Sequence, residues 1–566
     1  MPRKYRVVDY IVEQLAAIGI DHIFGVDGAN IEDLYDAAHF QSSITAILAK
    51  HEFSAATMAD GYSRSGAGLG VVAATSGGGA LNLVAGLGES LASRVPVLAL
   101  VGQAPTSMDG RGSFQDTSGR NGSLDATAVF SAVSVACQRV LTPADIVFAL
   151  PRAVAAARTG GPSVLLLPKD IQQGYVEVGG VTGLQEPRPI GNPQQIVQLL
   201  RGVSGPVTII AGEQVARDNA RTELEVLRTV LRARVATVPD AKDVAGTPGF
   251  GSSSALGVTG VMGHPGVVEA VATSAVCLVV GTRLAVTARS GLDEALESVA
   301  TISIGSAPPH VRCAHVHTDD LRGSLRMLTE ALSGAGRPTG VRVPDAVCRT
   351  ELAAPPFVGA GVRYRDAMAV LDGVLPDGTD IVVDAGNTGA AAIHYLPARR
   401  DGRFTVALGM GGMGYSFGAG IGMAFGRANS GRPGGRTVVI AGDGAFFMHG
   451  MEVHTAVQYG LAVTFIVFNN NAHAMCVTRE QLFYDDLYSY NRFRPSQLGA
   501  GLAAMFPGLA SVDVSNLDGL AAAMRAALEA DGPAVVSVEC AADEIPPFAP
   551  FLTTVKESRA DVVASA

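Results

Sequence analysis

The feature that most constrains this chain is a unit that recurs along it: a short apolar run rich in valine and isoleucine, a turn of glycine and other small residues, then a stretch with helical periodicity. The runs fall at 70–75, 95–101, 163–167, 207–210, 276–281, 381–384, 438–441, 463–468 and 534–538. Continuous apolar runs of this length suit strands covered on both faces, and a helix between successive strands makes the pairing parallel. The expectation is an α/β protein of doubly wound parallel sheets. With 566 residues, 48% hydrophobic and 17% charged, the chain can bury several cores and is too apolar for disorder.

Two Pro- and Gly-rich stretches, 176–193 and 333–361, interrupt the pattern. They predict three domains of ordinary size, at 1–180, 190–340 and 360–550. The first and third echo each other. Residues 70–102 run strand, small-residue turn (Thr75-Ser76-Gly77-Gly78-Gly79), helix, strand, and residues 438–470 do the same around Gly442-Asp443-Gly444. An internal duplication explains this, and so does the general likeness of any two βαβ units.

Several function classes are excluded. The net charge is −10 and no dense Lys/Arg run occurs, so no nucleic-acid partner is expected. No apolar stretch reaches the roughly 18 residues of a membrane span. Within residues 1–19, Val8, Ile11, Val12 and Leu15 recur at helical spacing, which reads as an amphipathic helix rather than a targeting leader. Cys137, Cys277, Cys313, Cys348, Cys476 and Cys540 are scattered without a CxxC, which fits a reduced, cytoplasmic compartment.

The densest motif is Ala441-Gly442-Asp443-Gly444, then Glu452, Thr455 and Ala456, then Phe468-Asn469-Asn470. It begins at one strand end and closes at the next, so both ends lie on the C-terminal edge of a parallel sheet, where such folds bind ligands. Gly442 and Gly444 let backbone amides approach a diphosphate. Asp443 and Asn470 offer hard oxygens, and few protein ligands plus phosphate oxygens is how magnesium is commonly held.

These residues resemble the signature of the thiamine diphosphate-dependent superfamily of acetolactate synthase, benzaldehyde lyase and pyruvate decarboxylase. The resemblance continues in Phe24-Gly25-Val26-Asp27-Gly28, in His51-Glu52-Phe53-Ser54-Ala55-Ala56 with Ala59-Asp60-Gly61-Tyr62, in Thr75 to Gly79 with Asn82, and in Gly411-Gly412-Met413-Gly414-Tyr415. It implies a pyrimidine-binding (Pyr) domain, a central domain and a diphosphate-binding (PP) domain. It also implies a cofactor lying between the first domain of one subunit and the third of another, hence a homodimer at minimum and an expected homotetramer.

The same resemblance implies roles. Glu52 would hydrogen-bond N1′ of the aminopyrimidine and relay the thiazolium C2 proton through the cofactor. Met413 would hold the cofactor bent. Asp443, Asn470 and the backbone carbonyl of Ala472 would bind Mg2+, although the tract Asn469-Asn470-Asn471 leaves the register open by one residue. Ser76, Asn82, Gly411, Gly442, Gly444, Ala445 and Met475 complete the expected cofactor contacts. Gln115, in Ser113-Phe114-Gln115-Asp116, and Asn30 would face the substrate. Benzaldehyde lyase has Gly-Ala-His where this chain has Gly28-Ala29-Asn30. Gly77-Gly78-Gly79 and Ile545-Pro546-Pro547 lean toward that enzyme, but its histidine is missing, and so is the His-His pair of pyruvate decarboxylase. His473 and His449 remain as proton-shuttle candidates. In the central domain, Gly281-Thr282-Arg283-Leu284 resembles the family's strand end. Ala211-Gly212-Glu213 shows no flavin fingerprint and Ser303-Ile304-Gly305 lacks an acidic end, so FAD is not expected.

The implied activity is a carboligase: a 2-oxo acid such as pyruvate is decarboxylated to an acyl-anion equivalent that adds to a second carbonyl. Two alternatives stay open, a benzaldehyde lyase-like lyase-ligase acting on aldehydes and 2-hydroxy ketones, and a non-catalytic paralogue that binds the cofactor. The sequence names neither donor nor acceptor.

Overall fold

The structure, a computed structural model, describes residues 3–178, 188–245, 256–342, 349–429 and 435–555. Much of the first Pro/Gly-rich stretch (179–187) and residues 343–348 of the second lie outside the described residues. The rest forms two compact units. One contains Met1–Pro187, Ala407–Arg432 and Phe447–Leu461, and the other Arg188–Val406, Pro433–Phe446 and Ala462–Ala566.

The first unit is built on a six-stranded parallel sheet. Its spatial order is Thr45–Leu48, His22–Val26, Gly70–Ala74, Val97–Gln103, Pro162–Pro168, Ala136–Arg139. The second unit holds two sheets. A five-stranded parallel sheet runs Arg234–Thr237, Val207–Ala211, Val276–Val280, Ala300–Gly305, Ala314–His317. A six-stranded one runs Phe404–Val406, Asp380–Val383, Thr437–Gly442, Val463–Asn469, Ala534–Glu539, Ala510–Val514. Numbered within each sheet by chain order, both six-stranded sheets read 2-1-3-4-6-5, and the five-stranded one reads 2-1-3-4-5. Three doubly wound parallel sheets are thus present, and the echo between first and third segments extends to identical strand order.

Every apolar run picked from sequence is a strand. Most of the strands it missed lie at sheet edges, such as Ala136–Arg139, Ala314–His317 and Ala510–Val514. An edge strand is covered less completely, so its residues are mixed in polarity and no apolar run marks it. The N-terminal helix spans Val7–Ala17 with Val8, Ile11, Val12 and Leu15 buried. Ahead of it, Arg3–Arg6 pairs antiparallel with Tyr175–Val178. Among the described residues no helix is long and apolar enough to cross a membrane.

In the first unit, the helix Glu52–Arg64 packs on the helix Tyr415–Asn429 with backbone nearly touching. A Cβ on Gly61 would lie 2.0 Å from the carbonyl oxygen of Ala419. The neighbouring Asp60 is fully buried and accepts hydrogen bonds from Tyr415 Oη (2.5 Å), Arg64 Nε (2.7 Å) and Ser90 Oγ (2.7 Å). The Asp60-Gly61 pair therefore anchors the helix that begins with Glu52. In the second unit, Arg403 is clamped by Glu213 (3.0 Å) and Asp243 (2.9 Å), so its burial is compensated. Lys242 donates to the carbonyls of Ala392, Ile393 and Leu396 at the C-terminal end of the helix Asn387–Tyr395.

Candidate active site

Two sheet edges gather the residues singled out in sequence. At the C-terminal edge of the first sheet, Asn30 follows one strand, Glu52 the next and Ser76 a third. Glu52 opens its helix, whose N-cap His51 accepts the amide of Phe53 through Nδ1 (3.0 Å). The Glu52 carboxylate is 9% exposed, and its Oε2 accepts from Asn82 Nδ2 at 2.9 Å. A Cβ on Gly79 would meet Glu52 Oε1 at 2.9 Å, so glycine there keeps the carboxylate's position open. Beside it runs a directional chain: Asn30 Nδ2 donates to Ser76 Oγ (2.7 Å), which donates to Gln115 Oε1 (3.2 Å). Gln115 holds φ +59°, an uncommon state for a non-glycine residue and one that recurs at ligand sites.

At the C-terminal edge of the third sheet, Asp443 is fully buried and Ala472 N donates to its Oδ2 at 3.1 Å. Burial pushes its pKa up to about 6, against the opposing pull of backbone amides including Ala472, Gly444 and Asn470. Its other oxygen, Oδ1, has no hydrogen-bond partner, and neither has Asn470 Oδ1. Asn470 Nδ2 donates to the hydroxyl of the buried Tyr364 (3.2 Å), a bond that does not use its oxygen. Of the three consecutive asparagines, Asn471 spends Oδ1 on Ser496 N (2.9 Å), and Asn469 donates to Ser496 O (2.7 Å) while its own Oδ1, like that of Asn470, is buried without a partner. Asn470 both reaches Asp443 through its amide and keeps an unpartnered oxygen. Ala472 bridges Arg492, but the bonds there come from His473 N and Phe493 N, so the bridge does not consume the Ala472 carbonyl.

Three stretches of sequence match one family in order. Residues 5–123 match the thiamine pyrophosphate enzyme N-terminal TPP binding domain, 193–332 its central domain and 384–538 its C-terminal TPP binding domain. The chain belongs to the thiamine pyrophosphate enzymes. It is accordingly an enzyme that makes or breaks carbon–carbon bonds with thiamine diphosphate. It is 27% identical to acetolactate synthase isozyme 2 large subunit of Escherichia coli (strain K12), over 94% of each chain. It is likewise 27% identical to acetolactate synthase of Arthrospira platensis, again over 94% of each. Its fold is similar to benzoylformate decarboxylase from Polynucleobacter necessarius, with a TM-score of 0.79 at 19% identity, covering 96% of this chain and 99% of that one.

The edge of the third sheet, taken by itself, fits the metal-bound end of the family's cofactor. Two buried, unpartnered hard oxygens, Asp443 Oδ1 and Asn470 Oδ1, on residues joined by the Asn470 backbone amide suit a small divalent cation shared with phosphates. Among the described residues no cluster of three or more His, Cys, Asp or Glu could hold a metal by itself. The remaining sequence candidates are spread over both units. Gly444 and Ala445 are buried beside Asp443, Gly442 and Met475 are half-buried, and Met413 is half-buried on a loop with the exposed Gly411. His473 lies edge-on to Phe493 (4.7 Å), and burial lowers its pKa. His449 stacks on Phe53 (4.3 Å), and burial lowers its pKa to about 4, so this thiamine pyrophosphate enzyme keeps it as a neutral ring. Sequence reasoning missed Tyr364, Asn387 and Glu89. Asn387 follows the strand Asp380–Val383, and its Oδ1 is buried without a partner. The cue for it was the Asp384-Ala385-Gly386 turn after an apolar run. For Tyr364, in a plain amphipathic helix, there was no cue.

Proposed function

We propose that this enzyme decarboxylates a 2-oxo acid such as pyruvate and joins the remaining acyl carbon to a second carbonyl compound, as its acetolactate synthase relatives are named for. The observation that carries this is the direction of the Asn30–Ser76–Gln115 chain. It occupies the Gln115 carbonyl, so what the amide has left to offer is its two N–H donors. Such donors suit a carboxylate or the carbonyl oxygen beside it. An Asn stands where benzaldehyde lyase has a histidine, and an amide cannot trade protons at neutral pH as an imidazole does. That weighs against the aldehyde lyase-ligase reading.

In this reading Mg2+ is held by Asp443 Oδ1, Asn470 Oδ1 and the Ala472 carbonyl, together with diphosphate oxygens. When bound, thiamine diphosphate would supply a carbon acid and an electron sink for decarboxylation. The protein's part is positional and protonic. Glu52 holds and exchanges a proton at N1′ of the pyrimidine, Asn82 orients Glu52, and Gln115 orients the substrate. Asn30 and Ser76 keep Gln115 in register, and His473 is the candidate to move a proton at the substrate. The active unit is at least a homodimer, each site drawing its two edges from different copies, and a homotetramer is the expected assembly.

The test is product analysis with pyruvate and a panel of aldehydes and 2-oxo acids, in the presence of thiamine diphosphate and Mg2+. CO2 release with a 2-hydroxy ketone or 2-hydroxy-2-alkyl-3-oxo acid product is expected. Cleavage of 2-hydroxy ketones with no CO2 from any 2-oxo acid would move the enzyme to the lyase class. Tight cofactor binding with neither reaction would make it a non-catalytic paralogue.

A further inference from the structure

Glu89 has no part in the chemistry above, yet it is one of the most thoroughly engaged acids in the first unit. It lies in the otherwise uncharged helix Gly78–Ala92 and is 2% exposed. Its carboxylate accepts three consecutive backbone amides: Gly409 N at 3.1 Å, Met410 N at 2.6 Å and Gly411 N at 3.3 Å. A fourth donor, Ser93 Oγ, approaches Oε1 at 2.7 Å. Successive amides converging on one point form a concavity suited to an anion. Here the anion is the protein's own side chain. The loop so gripped runs on directly to Gly412 and Met413. A Cβ on Gly412 would lie 3.3 Å from Phe53 Cζ, so the loop is seated against the residue that follows Glu52.

A loop of four glycines among six residues, Gly409 to Gly414, has little stiffness of its own, because glycine leaves the backbone the most freedom to lose. Something must set where Met413 sits, and the Glu89 clamp is a contact that can. We propose that Glu89 is a positioning residue, fixing the 409–411 backbone so that Met413 meets the cofactor at a set place. This rests on the functional reading above and on the resemblance, which implies that Met413 touches thiamine diphosphate. The charge matters as well as the shape. A carboxylate presents only acceptors to the three amides, and charge-assisted bonds are the stronger kind. An amide side chain would aim its own N–H groups at some of them.

The experiment uses the full chain as wild type, Glu89→Gln and Glu89→Asp, with thiamine diphosphate and Mg2+ as the probe. Three quantities are read well below the melting temperature: hydrogen–deuterium exchange of the 407–414 amides, cofactor affinity by calorimetry, and C2 proton exchange of the bound cofactor. The expected result for Glu89→Gln is at least tenfold faster exchange of the loop amides and at least tenfold slower C2 exchange. Glu89→Asp, charged but shorter, should fall between, and it decides the matter on the same readouts if Glu89→Gln does not fold. Loosened loop amides with wild-type affinity and wild-type C2 exchange would reduce Glu89 to a structural staple and overturn the proposal. Unchanged loop protection would overturn it too. Loop exchange in the cofactor-free protein needs no ligand, so failure of the wild type to bind thiamine diphosphate would count against the functional reading and be seen separately.

Discussion

The two six-stranded sheets share a strand order and place their chemistry at the same edge, yet they finish that edge in opposite ways. At the first, the residues of the candidate site satisfy one another, Asn82 serving Glu52 and Asn30, Ser76 and Gln115 forming a relay, while Gln103 Oε1 nearby at a strand end has no partner. At the third, Asp443, Asn470 and Asn387 each keep a buried oxygen without a partner. Buried polar atoms are ordinarily paired, so under the proposed function the contrast is between an edge that handles protons and one that receives a cation. The central sheet shows a third finish. Gln214 lies across its strand ends, accepting from Ser306 N (2.7 Å) and donating to Thr318 O (3.1 Å) and Asp218 (3.0 Å). Topology chose the place in all three, and a few side chains chose the use.

The sharpest way to break this contrast is Glu52→Gln. If the first edge is protonic, C2 exchange of the bound cofactor should slow by about 10²–10⁴. Cofactor affinity should move far less, since a hydrogen bond to a charged group is worth about 1.5–3 kcal/mol. Wild-type exchange with cofactor bound would mean that Glu52 is not the activating acid. The mirror experiment is Asp443→Asn. It should weaken Mg2+-dependent thiamine diphosphate binding on the order of 100-fold, at least the upper end of what outer-shell losses at metal sites cost, and leave less for chelation to remove. Calorimetry with and without a chelator measures this, and unchanged affinity would end the cation assignment.

A smaller effect tests whether the first edge is preorganised from within. Asn82→Ala removes the bond to Glu52 Oε2 and should slow C2 exchange by about tenfold, the low end for a bond to a charged group. No change would mean that Glu52 is held by the helix N-terminus alone. The smallest effect is one of stability and belongs to the second unit. His264 and His394 stack at 4.5 Å, and burial holds their pKa values down to about 3 and about 4. The unfolded chain takes up these protons near pH 6.5, well before the native rings do. Their contribution is therefore present above pH 6.5 and lost as pH falls toward 4, by about 2 kcal/mol per ring at pH 5. Melting of His394→Gln at pH 7.5 and pH 5 should show a smaller acid-induced drop than wild type, whatever its absolute stability.

Much of the candidate site was legible because it depends on local patterns. The GDG turn, the Asn after the next strand and the Glu after His51 are marked by position relative to apolar runs, and parallel topology carries them to the proper edge. Asn30, Ser76 and Gln115 were legible as candidates, but not their bonding order, which depends on contacts between loops far apart in sequence. Tyr364 and Glu89 left no such mark. A tyrosine opening an amphipathic helix and a glutamate in an apolar one look ordinary until the chain folds.

The sequence by itself determined the α/β class, the inner strands, the repeated unit and the identity of the groups that could carry chemistry. These follow from hydrophobic periodicity and turn residues, which act over a few positions. Only the tertiary structure decided that 407–432 and 447–461 join the first unit, that Asn470 keeps a free oxygen while Asn471 does not, and that Glu89 grips the loop before Met413. Each of these is set by which donors meet which acceptors after burial. An unpaired buried group is costly, so the fold settles such pairings strictly, but the partners lie tens to hundreds of residues apart and no local pattern records them.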